Sequence, residues 1–210
     1  MLTAIITVLL TFVLTGLTGG RLIQAWQHRN WKRQQLLLDV QNEYTTLQNL
    51  FDEFASHSER RRNRMHRLLL ILRRGDPGLI KKRLSEYDDA LASWNDRFLP
   101  LQAKLTIHLS FQFAARLQDD IQPRFVKIGE RLESMTRRRL EGGSINGTEF
   151  NEALHGMRHL SRELFRFNRD VLKAIKEKRN ALYREVPLNA GNLHDLPTWE
   201  LFKALFKPWV

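Results

Sequence analysis

The chain has 210 residues, enough for one ordinary domain with appendages, and its 34 Lys and Arg against 23 Asp and Glu give a net charge of +11. Any partner selected by charge is therefore anionic. With no cysteine, disulfide frameworks, Cys-based zinc sites, thiol nucleophiles and thiol redox couples are excluded. A charged fraction of 27% beside 42% hydrophobic residues argues against wholesale disorder. Gly and Pro are too sparse and too clustered for an all-β chain with frequent tight turns.

Residues 2–18, LTAIITVLLTFVLTGLT, carry no charge. As a helix they would measure ~26 Å, slightly short of the ~30 Å hydrocarbon core of a bilayer. Leu22, Ile23 and Trp26 close that gap, with Arg21 snorkelling towards the headgroups. Residues 1–26 are therefore expected to form a single transmembrane anchor with a basic interfacial flank. Arg21, Arg29, Lys32 and Arg33 follow the apolar run, and Trp26 and Trp31 sit as an interfacial belt would. The positive-inside rule then places the N-terminus outside the cell membrane and the bulk of the chain in the cytoplasm. An export signal is the competing reading, but it calls for a positive leading region and a shorter apolar run. A third reading is a buried helix of a soluble protein. Thr3, Thr7, Thr11 and Thr15 recur every four residues, and Gly16 and Gly20 form a small-xxx-small pair. Such a row lets membrane helices approach and exchange hydroxyl hydrogen bonds. Alternatively, each Thr bonds its own backbone one turn back.

Beyond the anchor, apolar positions recur at helical spacing: Leu36/Leu37, Val40, Tyr44, Leu47, Phe51, Phe54, then Met65, Leu68/Leu69 and Leu72. Ser58 and Arg61 interrupt the stripe. Gly75-Asp76-Pro77-Gly78 ends it with dense turn chemistry. A second stripe follows at Ile80, Leu84, Tyr87, Leu91, Trp94 and Phe98, and Leu101, Leu105, His108, Leu109 and Phe113 carry it on to Ile121. Pro100 and Pro123 are expected to kink or break this path. Residues 123–140 and 149–183 form two more helices, separated by the loop Glu141–Gly147, with Thr148 expected to cap the last. The sequence thus predicts an all-α chain. Residues 27–185 form a long antiparallel helical hairpin within a bundle of three to four helices, with helices 31–74 and 79–121 as antiparallel neighbours.

The charge gathers around the first turn. Arg60, Arg61, Arg62, Arg64, Arg67, Arg73, Arg74, Lys81, Lys82 and Arg83 face Asp76 alone within residues 60–83. They are expected to meet at the hairpin tip as a patch for an anionic partner. On an upright helix Arg60 would stand ~45 Å beyond residue 30, outside the ~10 Å reach of lipid headgroup charge. Arg61 points into the apolar stripe on a helical wheel, while Leu70 and Ile71 point out of it, as in an unsatisfied contact surface. The plainer reading is a solvated Arg-rich face. A nucleic-acid reading lacks a helix-turn-helix, an RNA-recognition motif or interleaved aromatics.

No catalytic motif of the serine-hydrolase, P-loop or zincin type occurs, so neither enzyme activity nor a cofactor is expected. Glu152, His155 and His159 share one helix flank but lack the partner helix that a carboxylate-bridged metal bundle needs. They read as exposed polar residues, and His108 as a hydrogen-bonded core histidine. Asn146-Gly147-Thr148 matches a glycosylation acceptor, relevant only to an exported domain. Residues 186–197 read as a linker. Residues 198–210 read as a short amphipathic helix with Trp199, Phe202, Leu205, Phe206 and Trp209 on one side, for a membrane interface, the bundle or a partner groove. Together these features point to a non-enzymatic, single-pass, membrane-anchored scaffold or adapter. Its expected partners are membrane lipid and either another protein or a second copy of itself. The alternatives are an exported, membrane-tethered, sensor-like bundle and, less favoured, a membrane-tethered nucleic-acid binder.

Overall fold

Every described residue outside the short connections is helical, as the 3.6-residue periodicities require. The computed structural model describes residues 2–185. Helix α1 spans Leu2–Arg74, α2 Pro77–His108, α3 Phe111–Arg116, α4 Gln122–Leu140 and α5 Gly147–Glu185, and one π-helical turn, Leu117–Ile121, joins α3 to α4. The residues divide into two units, 44–178 and 1–43 with 179–210. The linker 186–197 and the amphipathic segment 198–210, with Trp199, Phe202, Leu205, Phe206 and Trp209, lie outside the described residues. So do the side chains of Thr3, Thr11, Thr15 and Gly16. In the 1–43 unit Val40 is the one buried side chain among those described, whereas Phe12, Ile23, Trp26 and Trp31 are exposed. Among the described residues no helix is long and apolar enough to cross a membrane, but most side chains of the uncharged run 2–18 are not among them.

The 44–178 unit is an antiparallel four-helix bundle. The expected stripe of α1 is its buried face: Leu47, Phe54, Met65, Leu68, Leu69 and Leu72 all lie in the core. Opposite them stand Tyr87, Trp94 and Leu101 from α2, Phe125 and Leu132 from α4, and Met157, Leu164 and Phe167 from α5. Glu53 of α1 pairs with Lys104 of α2 at 2.7 Å, while Arg64 pairs with Glu86, so α1 and α2 run antiparallel. Arg116–Asp170 and Arg138–Glu149 fix α5 antiparallel to the α3–α4 rod in the same way.

Three points on this path are decided by the structure. Pro100 does not break α2: it lies on the solvent side, where the carbonyl one turn back, left without its amide donor, belongs to an exposed residue, Asp96. Pro123 does not break the rod either. The π-helical turn just before it, in which the Gln122 amide reaches back to the Leu117 carbonyl, gives the proline ring room. The real break is at Leu109–Ser110, where Ser110 is extended and starts α3. There α2 ends, and the Lys178 ammonium donates to the His108 carbonyl at 2.6 Å, a cation on a helix C-terminus. The helix expected over 79–121 is thus two.

One buried residue breaks the apolar pattern. Arg61 is 2% exposed. Its guanidinium lies 4.5 Å from the Phe125 ring centre and 5.8 Å from that of Trp94. Arg61 Nη1 donates to Gln122 Oε1 at 3.4 Å, and Trp94 Nε1 donates to the same oxygen at 2.9 Å. Arg61 Nε is buried without an acceptor, and no carboxylate among the described residues pairs with the side chain. Burial pushes the Arg61 pKa down, opposed by the neighbouring Tyr87 hydroxyl, whose own pKa burial pushes up. Arg61→Met fills similar volume without the desolvated charge and should leave stability unchanged or raise it. Arg61→Ala opens a cavity and should cost ~2–4 kcal/mol. Gln122→Leu strands two buried donors and should cost ~2–4 kcal/mol. Urea unfolding followed by circular dichroism measures all three. A Met variant as unstable as the Ala variant would mean that the charge itself stabilises the core.

Candidate functional site

At one end of the bundle, two helices finish and two begin. The chain leaves α1 through Gly75, at φ +80, whose amide bonds the Ile71 carbonyl at 3.1 Å. Asp76 then caps α2, its carboxylate accepting from the Leu79 amide at 3.1 Å, with Pro77 in the first helical position. On the other side α4 ends at Leu140. The Gly143 amide returns to the Arg138 carbonyl at 2.9 Å, and Gly142 takes φ +86. Asn146, rather than the expected Thr148, caps α5: its Oδ1 accepts from the Thr148 amide at 2.9 Å.

This layout collects more charge than residues 60–83 alone bring to it. Arg73, Arg74, Lys81, Lys82 and Arg83 are at this end, as expected. The last turn of α4 adds Arg137, Arg138 and Arg139. The signal was legible as an Arg run just before a Gly-Gly loop, which an up-down bundle returns to the end holding the first turn. Arg60, Arg62, Arg64 and Arg67 sit farther back, ~10–20 Å along α1 from Arg74. Arg61 leaves the patch altogether, being in the core. Arg62 is engaged by Glu59 and donates to Ser161 Oγ at 3.2 Å. Arg64 and Arg83 share Glu86, and the Arg83 hydrogen bond, with Arg64 and Lys82 nearby, holds that carboxyl below its usual range. Arg60, Arg67, Arg73, Arg74, Lys81, Lys82 and Arg137 make no ion pair among the described residues. Leu70 is exposed as expected, but Ile71 is buried against the core.

A cavity of about 320 Å³ opens between α1 and the α4–α5 connection. Leu72, Ile145 and Phe150 form its apolar wall, and Arg73, Arg139, Ser144 and Asn151 its polar one, with the start of α5 at Gly147. The Arg73 guanidinium lies 5.8 Å from the Phe150 ring centre. Arg139 Nη1 donates to the Gly143 carbonyl at 3.2 Å, and Arg139 Nε is buried without an acceptor. No carboxylate lines the cavity.

The other candidates stay apart from this end. Glu152 pairs with Arg131 at 3.2 Å, and the His155 and His159 rings meet edge to face at 4.4 Å. Local desolvation, His155 and the Arg162 and Arg124 guanidiniums push the His159 pKa down. Among the described residues no group of three His, Asp or Glu could hold a metal ion. His108 is half-buried rather than a core residue. Thr7 and Gly20 of the small-residue row are exposed. No family model, no curated protein and no solved structure matches the chain.

Gly75 ties the turn to this cavity. A Cβ there would lie 2.0 Å from Arg139 Nη2, and the backbone is left-handed. Gly75→Ala should therefore cost ~1–2 kcal/mol from conformation alone and displace Arg139. Thermal unfolding checks the loss. Gly142→Ala, equally left-handed but with open space around it, provides the comparison, and equal losses would show that the Arg139 contact adds nothing.

Proposed function

We propose that the protein is a non-enzymatic, membrane-anchored helical scaffold whose bundle presents a basic end to an anionic face of a partner protein. The observation that carries this reading is the convergence of Arg73, Arg74, Lys81, Lys82 and Arg137–Arg139 on one end of the bundle, from elements far apart in sequence. Charge complementarity of this kind speeds encounter and selects the partner. The exposed Leu70 and Leu79 beside the cations supply apolar area that such an interface buries. The anchor is assigned to the uncharged run 2–18. Its support is the sequence pattern together with the exposure of Phe12, Ile23, Trp26 and Trp31, large apolar side chains that water does not favour. Under the positive-inside rule the bundle faces the cytoplasm.

Two measurements test this. The full chain should pellet with membranes, resist carbonate extraction, and lose its bundle to protease in inverted vesicles but not in intact cells. Crosslinking in membranes should capture a protein partner in a salt-dependent manner. The quadruple variant Arg74→Gln, Lys81→Gln, Lys82→Gln and Arg137→Gln should keep its helicity and lose most of that capture. These positions are exposed, so removing like charges relieves repulsion and should leave stability intact. Capture that survives with unchanged salt dependence defeats the basic-end reading, and carbonate release of the chain defeats the anchor.

A further inference from the structure

We propose that the cavity beside the α1–α2 turn is a binding site for a phosphoryl dianion. Two guanidiniums, Arg73 and Arg139, line it without a carboxylate to neutralise them. Charged groups gathered in a concave site and left uncompensated are an arrangement that a ligand of opposite charge completes. Arg139 is also short of acceptors. Its Nε is buried and unpartnered, while Nη1 is held by the Gly143 carbonyl.

The neutral donors favour phosphate over carboxylate. Ser144 brings a hydroxyl, Asn151 an amide, and α5 begins in the wall at Gly147, whose amide has no acceptor within the helix. A helix start adds partial positive charge. A phosphoryl group offers three strong acceptor oxygens and a charge near −2, matching the two guanidiniums, whereas a carboxylate offers two oxygens and a single charge. The fit extends past the anion itself. Phe150 and Ile145 give an apolar surface on which the organic part of a phosphate monoester can rest, and a space of about 320 Å³ exceeds what an oxyanion alone fills. The guanidinium of Arg73 already lies over the Phe150 ring, 5.8 Å from its centre, a weak cation–π contact that directs it towards the cavity wall. This site shares Arg73 and Arg139 with the basic end assigned above but not its exposed remainder. Arg74, Lys81, Lys82 and Arg137 do not line the cavity, so either assignment can fail without the other.

The test uses the full chain in detergent micelles, in phosphate-free buffer, titrated calorimetrically with inorganic phosphate. A parallel titration uses short-chain phosphatidic acid below its micellar concentration. Saturable one-site binding is expected. Arg73→Gln and Asn151→Leu should each weaken it about tenfold, the loss of one charge-assisted or one geometrically placed hydrogen bond. Ser144→Ala, an exposed position that threatens the fold least, should weaken it by a smaller factor. The quadruple surface variant should bind as the parent does. Binding of inorganic phosphate with this pattern supports a site for free phosphate or small phosphate esters. Binding of phosphatidic acid alone, with the same dependence, supports a lipid headgroup. The absence of saturable binding by either, or equal loss in the surface variant, overturns the proposal, the latter by showing diffuse charge rather than a site.

Discussion

A single cation in an aromatic core sets the register of the bundle. Arg61 comes from α1, Trp94 and Tyr87 from α2, and Gln122 and Phe125 from α4, and they meet in one layer. Gln122 Oε1 accepts from both Arg61 and Trp94, so sliding α1 or α2 by one turn against α4 would strand at least one buried donor. Leu and Phe stripes tolerate such slips far better, since one apolar side chain replaces another. The layer also links to α5, because Phe54 touches both Trp94 and Phe167, at 6.2 and 4.9 Å between ring centres. Apolar burial supplies the stability, whereas this layer restricts which of several near-equivalent alignments is adopted. With the register fixed, the ends of α1 and α4 and the starts of α2 and α5 are brought to the same level.

How much of this was legible in the sequence follows from what each feature does to the local pattern. The stripe of α1 was readable because the core wants apolar groups at a 3.6-residue period, and even the intrusion of Arg61 could be placed on the inner face. The turn at 75–78 announced itself through Gly75 and Asp76-Pro77, residues suited to a left-handed exit and a capped entry. Pro123 misleads as a helix boundary, and Pro100 leaves a kink or a break open. Pro100 is harmless on a solvent face, and Pro123 is accommodated by a π-helical turn that leaves no compositional trace. Conversely, the break at Leu109–Ser110 contains neither Gly nor Pro. The spacing of Leu105, Leu109 and Phe113 runs smoothly across it, because each side of the break packs on the same core.

The site was harder to see, since it is assembled by tertiary structure. Counting charge along residues 60–83 treated them as one patch, but the bundle sorts them by face and depth. Arg61 goes to the core, Arg62 and Arg64 are held by Glu59 and Glu86, and only part of the run reaches the end. The contribution of Arg137–Arg139 depends on where the chain reverses between the two turns: a reversal at Leu109–Ser110 leaves a rod long enough to return to this end, whereas one at Pro123 does not. The cavity depends on still finer detail: Gly75 must lack a Cβ for the Arg139 guanidinium to lie against it.

The distribution of cations at this end also separates those that serve the helices from those that do not. Arg73 and Arg74 close α1, and Arg137, Arg138 and Arg139 close α4, where the helix dipole favours positive charge and the last carbonyls want donors. Those five have a structural reason to be present. Lys81 and Lys82 do not. They lie just past the first turn of α2, which holds no acidic residue, so the helix end gives them no favourable partner, and Asp76 is already committed to the cap. Arg83 is answered by Glu86, but no ion pair answers the two lysines among the described residues. Like charges brought together by folding destabilise the compact state, and neither lysine has an ion-pair partner of its own, Lys82 having only the more distant field of Glu86, which Arg64 and Arg83 already share. An anion outside the chain would offset them, and would simultaneously relieve the repulsion among the five arginines that the helix ends bring together. Lys81 and Lys82 therefore weigh more in the case for an anionic partner than the longer Arg run that first draws the eye.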